Sequence, residues 1–377
     1  MTPPLPNAAS AAPAPHVEVL KRLTPGRART KKAAPTGYMV SPIFDMVLII
    51  LSPLFALGFG WIVSQDAAAH ERVNSGFLHD QFGFNGSPLG FLMGVIIMAH
   101  IFAVFFRSHG NRTIFSEHKL SFTLIPVLWF VALISSSWAL VITSVAATWW
   151  DVYHSGAQTF GIGRIYDAKA GNAATVGRRL DFWLQQLLYA GPILAGATMM
   201  DHVEEFDEFE AVGATFFTAI PAQVEGVASW LTFAVLAIGV PFLAYYFVSY
   251  RKLIREGYRV SMQKVVLYTV TGGVSIYAWA FNSFGEAFVI MNLFHAVQYF
   301  AIVWAVEKKS MRGLFRLEKL RWGVPITLAL FLATTAAYGV AVELFDHSGT
   351  FMAAALVISC LHFWYDGFVW SVRKGQV

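Results

Sequence analysis

Long apolar stretches recur along this chain, and the charges between them leave few folds open. A helix rises about 1.5 Å per residue, so roughly 20 apolar residues cross the hydrocarbon of a bilayer. Eight such stretches stand apart, near 42–64, 88–106, 180–200, 225–250, 262–282, 284–306, 322–344 and 350–371. A ninth, from about 121 to 163, is too long for one crossing and contains no visible loop. Charge divides it. With a cut near Ser137 and the N-terminus inside, 26 of the 27 Lys and Arg fall on one side, in the N-terminal tail, 107–120, 164–180, 251–264, 307–321 and 372–377. Only Arg72 is left on the other side, where the loops are acidic, most clearly DHVEEFDEFE at 201–210. Cytoplasmic loops are the ones that collect Lys and Arg. The expectation is an all-α polytopic membrane bundle of about ten transmembrane helices, with both termini cytoplasmic, in the inner or plasma membrane.

Composition agrees. Only 13% of residues are charged and mean hydropathy is +0.55, against about 25% charged in an ordinary soluble domain. Residues 38–377 read as one transmembrane domain. Residues 1–37 are Pro/Ala-rich and then basic, and are expected to be a disordered tail without a signal-peptide core. The single cysteine, Cys360, excludes a disulfide framework and argues against a thiolate metal site. No P-loop, serine elbow or HExxH is present. GIGRIYD at 161–167 lacks the six-residue glycine pattern and follows no strand. The expected partners are the bilayer and a lipid-soluble small molecule, with no nucleic acid. Arg164 and Tyr166 are candidates for holding a substrate head group, although Arg164 needs no more than a positive-inside role.

Within this apolar chain, WWDVYHSGAQTF at 149–160 places an acid, an imidazole and an amide where each is costly. Eleven histidines are present, and four lie inside spans: His100, His154, His295 and His362. By the topology above, all four spans run from outside to inside. His100 precedes Arg107 by seven residues, His154 precedes Arg164 by ten, His362 precedes Arg373 by eleven, and His295 precedes Glu307 by twelve. They therefore share one slab, roughly 10–18 Å from the inner boundary. Asp151 and Gln158 flank His154, Asn292 and Gln298 flank His295, and Asp366 follows His362, all at spacings of three or four that share a helix face. Four neutral imidazoles can hold a divalent metal. Asp151, Gln158, Gln298 and Asp366 suit the part of orienting the ligand rings. His109 and His118 are expected to be ordinary loop histidines near the inner mouth. The aromatics around the four histidines, among them Trp149, Tyr153, Tyr299 and Trp370, suit an elongated apolar substrate.

In these motifs the chain resembles the Brp/Blh family, polytopic membrane enzymes that cleave β-carotene to retinal with O2. The likeness lies in the helical membrane body, single histidines spread over separate spans, and the HxxxD-like element from His362 to Asp366. It implies a non-haem Fe(II) ion held by His100, His154, His295 and His362, with a carotenoid or another long apolar chain as substrate. The family places a ligand histidine in its first span, and the first span here has none. The clustered HxxxH and HxxHH boxes of membrane desaturases are absent. Two other functions fit the same residues: haem or quinone electron transfer with histidine axial ligands, and a proton- or metal-coupled transporter using Asp/His pairs.

Overall fold

In the computed structural model, residues 37–67, 88–345 and 349–370 are described, with 63–67 by backbone alone. Outside these residues lie nearly all of the basic tail, the C-terminal Arg373, and His16, His70, Arg72, His79 and His347. The described residues belong to one unit. Among the described residues all regular structure is helical.

The chain opens with α1 (Pro42–Asp45), a π-helical turn (Met46–Ile50) and α2 (Ser52–Ala67). Ser41 caps α1 through Phe44 N–H, with Pro42 at the first helical position. Asp45 is fully buried. Its carboxylate accepts from the backbone N–H of Met39 and Val40 and from the Tyr166 hydroxyl at 3.0 Å. Next come α3 (Pro88–Phe102), α4 (Val104–Ser108) and α5 (Arg112–Glu117). Then α6 (Lys119–Ser135) and α7 (Ser137–Lys169) meet at Ser136, an extended residue whose side chain caps α7. The chain bends by 117° there, at the place where charge alone divides the long apolar run.

Beyond α7 lie α8 (Arg178–Ala195), α9 (Met199–Glu204) and 3-10 turns at Glu205–Val212 and Phe217–Ala219. They are followed by α10 (Ile220–Glu225), α11 (Ala228–Arg255), α12 (Met262–Phe281), α13 (Phe284–Leu314), α14 (Gly323–Phe345) and α15 (Gly349–Val369). Five helical stretches are individually long and apolar enough to cross a membrane, or up to seven if each of two bent pairs counts as one span. This is the coarser form of the ten-span expectation: an all-helical chain built to lie in a bilayer.

Burial ranks the helices. The apolar core of α13 is 61% buried and that of α11 only 6%. On α11, Trp230, Phe233, Ile238 and Phe247 face outward, as a helix bathed in hydrocarbon must. Helix α13 packs against α2, α3, α12 and α14, while α15 packs against α6 and α7. Helices α3 and α14 meet so closely that a Cβ on Gly339 would stand 2.3 Å from the Val95 carbonyl oxygen. Such small-residue contacts let membrane helices approach, and this one fixes the helix that carries His100.

Candidate metal centre

Helices α3, α7, α13 and α15 each contribute one histidine to a common point. His100, His154, His295 and His362 are all at most 4% exposed. Their ring centres form a closed circuit: His100–His295 5.1 Å, His295–His154 5.1 Å, His154–His362 4.8 Å and His362–His100 5.1 Å. The His295–His362 diagonal is 6.4 Å. The depth count from inner charges thus brought together four rings from segments up to 262 residues apart in sequence.

Buried polar atoms are normally hydrogen-bonded, and here they are not. Nδ1 of His100, Nε2 of His154, Nε2 of His295 and both nitrogens of His362 are buried without a partner. Ligand atoms of His100, His295 and His362 lie within 4.8 Å of one another, and so do those of His154, His362 and Asp366. An imidazole nitrogen binds a first-row divalent ion at about 2.0–2.1 Å, which sets the ring centre about 3 Å from the ion. Half of the observed diagonal matches that distance. The donor set is all nitrogen with one carboxylate at its edge, which suits iron or zinc and not calcium or magnesium.

The flanking polar residues come close, but their partners are not those that spacing along single helices suggested. Asp366 does not simply serve His362 on its own helix. It accepts hydrogen bonds from Tyr299 OH at 2.7 Å and Trp370 Nε1 at 2.8 Å, and its second oxygen lies 3.9 Å from His154 Nε2. Gln158 bonds no ring. It donates to the His295 carbonyl at 3.1 Å and to Gln298 Oε1 at 3.4 Å. Gln298 in turn donates to the Ile49 carbonyl at 2.8 Å, in the π-helical turn. The two glutamines therefore tie the backbones of α7, α13 and the π turn together, and hold the rings indirectly. Asp151 bonds Ser155 at 3.4 Å and no histidine. Side chains in a bundle find partners across helices, which single-helix periodicity does not reveal.

Tyr299, placed by sequence among the aromatic lining, is the polar neighbour that was missed. Its ring lies 4.6 Å from His362 and 6.1 Å from His100. It follows His295 by four residues, so the spacing rule could have found it. His109 is excluded from the centre, since Ser108 Oγ and the Phe122 carbonyl occupy its two nitrogens at 2.9 and 3.0 Å. His118 packs its ring on Phe368 at 4.6 Å.

Two cavities flank the cluster. The first, about 240 Å³, runs between α7, α8, α13 and α15. Its walls are mainly aromatic and aliphatic, including Phe160, Phe182, Ile302 and Phe363; His154, Gln158, Tyr299 and Asp366 are polar groups on the cluster side, and Arg178 also lines it. The second, about 370 Å³, meets the cluster at His100 and has Asp151, Glu205 and Glu208 among a lining that is otherwise mostly apolar or uncharged.

A second polar cluster lies on the same helix α7, and sequence reasoning did not anticipate it. Arg164 NH1 contacts Asp167 at 2.5 Å and Asp181 at 2.7 Å, while Lys264 Nζ contacts the same two carboxylates at 2.9 and 2.7 Å. Tyr246 and Tyr250 donate to Asp181 and Tyr258 to Asp167. All four charged residues are at most 4% exposed. The proposal that Arg164 and Tyr166 meet a substrate head group therefore falls: Arg164 is consumed in this knot, and Tyr166 is bound to Asp45.

Compared with known proteins, the chain matches no family model, no curated protein and no solved structure. The functional reading therefore rests on the site.

Proposed function

We propose that the chain is a membrane-embedded non-haem iron oxygenase that acts with O2 on a lipid-soluble substrate. One observation carries the reading: four buried imidazoles from four helices converge, each with a nitrogen that no protein group satisfies. In hydrocarbon such groups are costly, and an ion shared among them offsets the cost. His100, His154, His295 and His362 are the residues that would hold Fe(II), and bound iron would supply O2 binding and activation. A porphyrin between any two of these rings would have to pass through the other two, which weighs against the haem alternative.

The chain's own residues have definable work. Asp366 stands beside His154 and holds the Tyr299 hydroxyl hydrogen, so a proton donor and its acceptor lie at the polar end of the aromatic cavity. Gln158 and Gln298 fix the backbone of the His295 helix. The aromatic cavity excludes water from a chain-like substrate, and the half-exposed Tyr153 at its rim marks lateral access from lipid. A carotenoid or another long apolar chain suits such walls, and carotenoid cleavage is the chemistry that the Brp/Blh resemblance suggests. The same reading keeps the ten-span arrangement in the inner or plasma membrane with both termini cytoplasmic, on the strength of the Lys/Arg asymmetry.

Elemental analysis and an optical spectrum of the purified protein test the reading. The expected result is one iron per chain and no Soret band, with the metal lost from both His154→Ala and His295→Ala. A Soret band, or metal content that neither substitution changes, would overturn it; the latter outcome returns the histidines to a transporter-like relay.

A further inference from the structure

The second cavity is unlike the first. It runs from the 3-10 turn after α9 to the histidine cluster, and its lining includes Glu208, Glu205, Thr148, Asp151, Asn292 and His100. Burial deepens along that series, from the exposed Glu208 through the half-buried Glu205 and Asp151 to Asn292 at 5% and His100 at 3% exposure. At its deep end, His100 lines the cavity with a buried ring nitrogen that has no hydrogen-bond partner.

Its three carboxylates differ from those held in the buried ion pairs. Asp167 and Asp181 are answered by Arg164 and Lys264, and Glu307 by Arg107. Glu205, Glu208 and Asp151 form no ion pair with any described residue; Glu208 accepts only from Ser144 at 3.3 Å and Asp151 only from Ser155. Burial, then the neighbouring Glu208 carboxylate, holds the Glu205 carboxyl above its usual range. Carboxylates of one sign lining a low-dielectric cleft focus a field that concentrates cations.

We propose that this acidic cavity is the route by which a divalent cation reaches the four-histidine cluster from the side of the 201–210 segment. The proposal rests on the metal reading of that cluster. Glu205 and Glu208 gather the hydrated ion at the mouth. Asp151 and Asn292 supply oxygens along the way, in exchange for waters, and His100 is the first imidazole met. The aromatic cavity, which reaches the cluster at His154, is left to the apolar substrate. Ion and substrate thus arrive through different cavities.

The test is the rate of metal uptake. Full-length protein in lipid nanodiscs is stripped with chelator and mixed with Co(II), whose visible absorption reports occupancy of the site. The double variant Glu205→Gln/Glu208→Gln should fill at least about tenfold more slowly than wild type, with a flatter dependence on salt. Its final cobalt content should be unchanged, which also shows that it is folded. Uptake at the wild-type rate overturns the route and leaves the metal centre standing. Failure of the wild type to bind cobalt, or equal binding by His154→Ala/His295→Ala, removes the centre and the route together. Should the double variant not fold, Ala147→Phe narrows the cavity and leaves every carboxylate in place. Slow uptake by that variant supports the route, and wild-type uptake rejects it.

Discussion

Helix α7 carries two buried polar clusters ten residues apart, His154 in one and Arg164 in the other, and they are built on opposite principles. In the ionic knot, two cations meet two carboxylates, three tyrosine hydroxyls donate to the same acids, and Arg164 also reaches the carbonyls of Ala173, Ala174 and Val176. Only Arg164 Nε lacks a partner there. In the histidine cluster, each of the four rings leaves a buried nitrogen unanswered. A polar cluster that satisfies itself needs no ligand and can be explained as structure. One that converges and stays unsatisfied needs something from outside the chain.

The largest expected effect breaks the histidine side of that contrast. His362 stands at 4.8–6.4 Å from each of the other three rings and has both nitrogens free of partners. His362→Leu keeps the bulk of the side chain and removes both nitrogens. The purified variant should lose its stoichiometric iron outright, while the metal-free protein unfolds no more easily than metal-free wild type. Elemental analysis paired with a denaturant titration reads both halves. A variant that keeps its iron would mean that the ring is no ligand.

The next effect breaks the knot. Asp181 takes hydrogen bonds from Arg164, Lys264, Tyr246 and Tyr250. Asp181→Asn leaves two buried cations sharing the one carboxylate of Asp167, and removing one partner from a buried ionic cluster costs about 3–5 kcal/mol. Loss of this stability should be equal with and without metal. If instead the variant loses iron selectively, the two clusters are one device.

The histidine side of the comparison was legible in sequence, and the knot was not. An imidazole in an apolar run is conspicuous, and counting residues to the first inner charge gave its depth. The same counting hid the knot, because Arg164 and Lys264 satisfied the positive-inside rule and needed no further account. Asp167 falls in the basic segment 164–180 and Asp181 at the very start of the next apolar stretch, where acids are ordinary. The available signal was Tyr246, Tyr250 and Lys264: polar tips near one end of two apolar helices, two of them spaced by four. A break near Ser136 was legible from charge, since the positive-inside pattern of the basic segments called for the long apolar run to be divided there. The partners of Asp366 and Gln298 were not, because they are set by how helices dock.

A smaller effect separates the carboxylate beside the rings from those in the knot. Asp366 stands 3.9 Å from His154 Nε2. Groups that orient or neighbour metal-binding imidazoles typically change affinity about 10–100-fold when altered. Asp366→Asn should weaken iron binding by that factor, measured by competition with a chelator, and leave unfolding of the metal-free protein nearly unchanged. Unaltered affinity would make Asp366 a packing residue held only by Tyr299 and Trp370.

The smallest effect comes from a matched pair of hydroxyls. Tyr250 donates to Asp181 at 2.6 Å in the knot, and Tyr299 donates to Asp366 at 2.7 Å beside the histidines. Phenylalanine at Tyr299 removes one hydrogen bond to a carboxylate; at Tyr250 it also removes the bond accepted from Lys264 Nζ at 2.7 Å. A hydrogen bond to a charged group contributes about 1.5–3 kcal/mol, and the question is where that energy appears. In the knot, the carboxylate keeps two cations whatever the tyrosine does, so Tyr250→Phe should lower unfolding stability by an amount that is the same with and without iron. At the centre, Asp366 takes its hydrogen bonds from Tyr299 and Trp370 and, on the proposed reading, would face an ion held by the rings. Tyr299→Phe leaves its oxygen freer to turn toward that ion, so iron binding should tighten while the metal-free protein loses stability. The difference between loaded and metal-free stability should therefore widen for Tyr299→Phe and stay fixed for Tyr250→Phe. Equal behaviour of the two variants would erase the distinction between a self-sufficient cluster and one completed by a ligand.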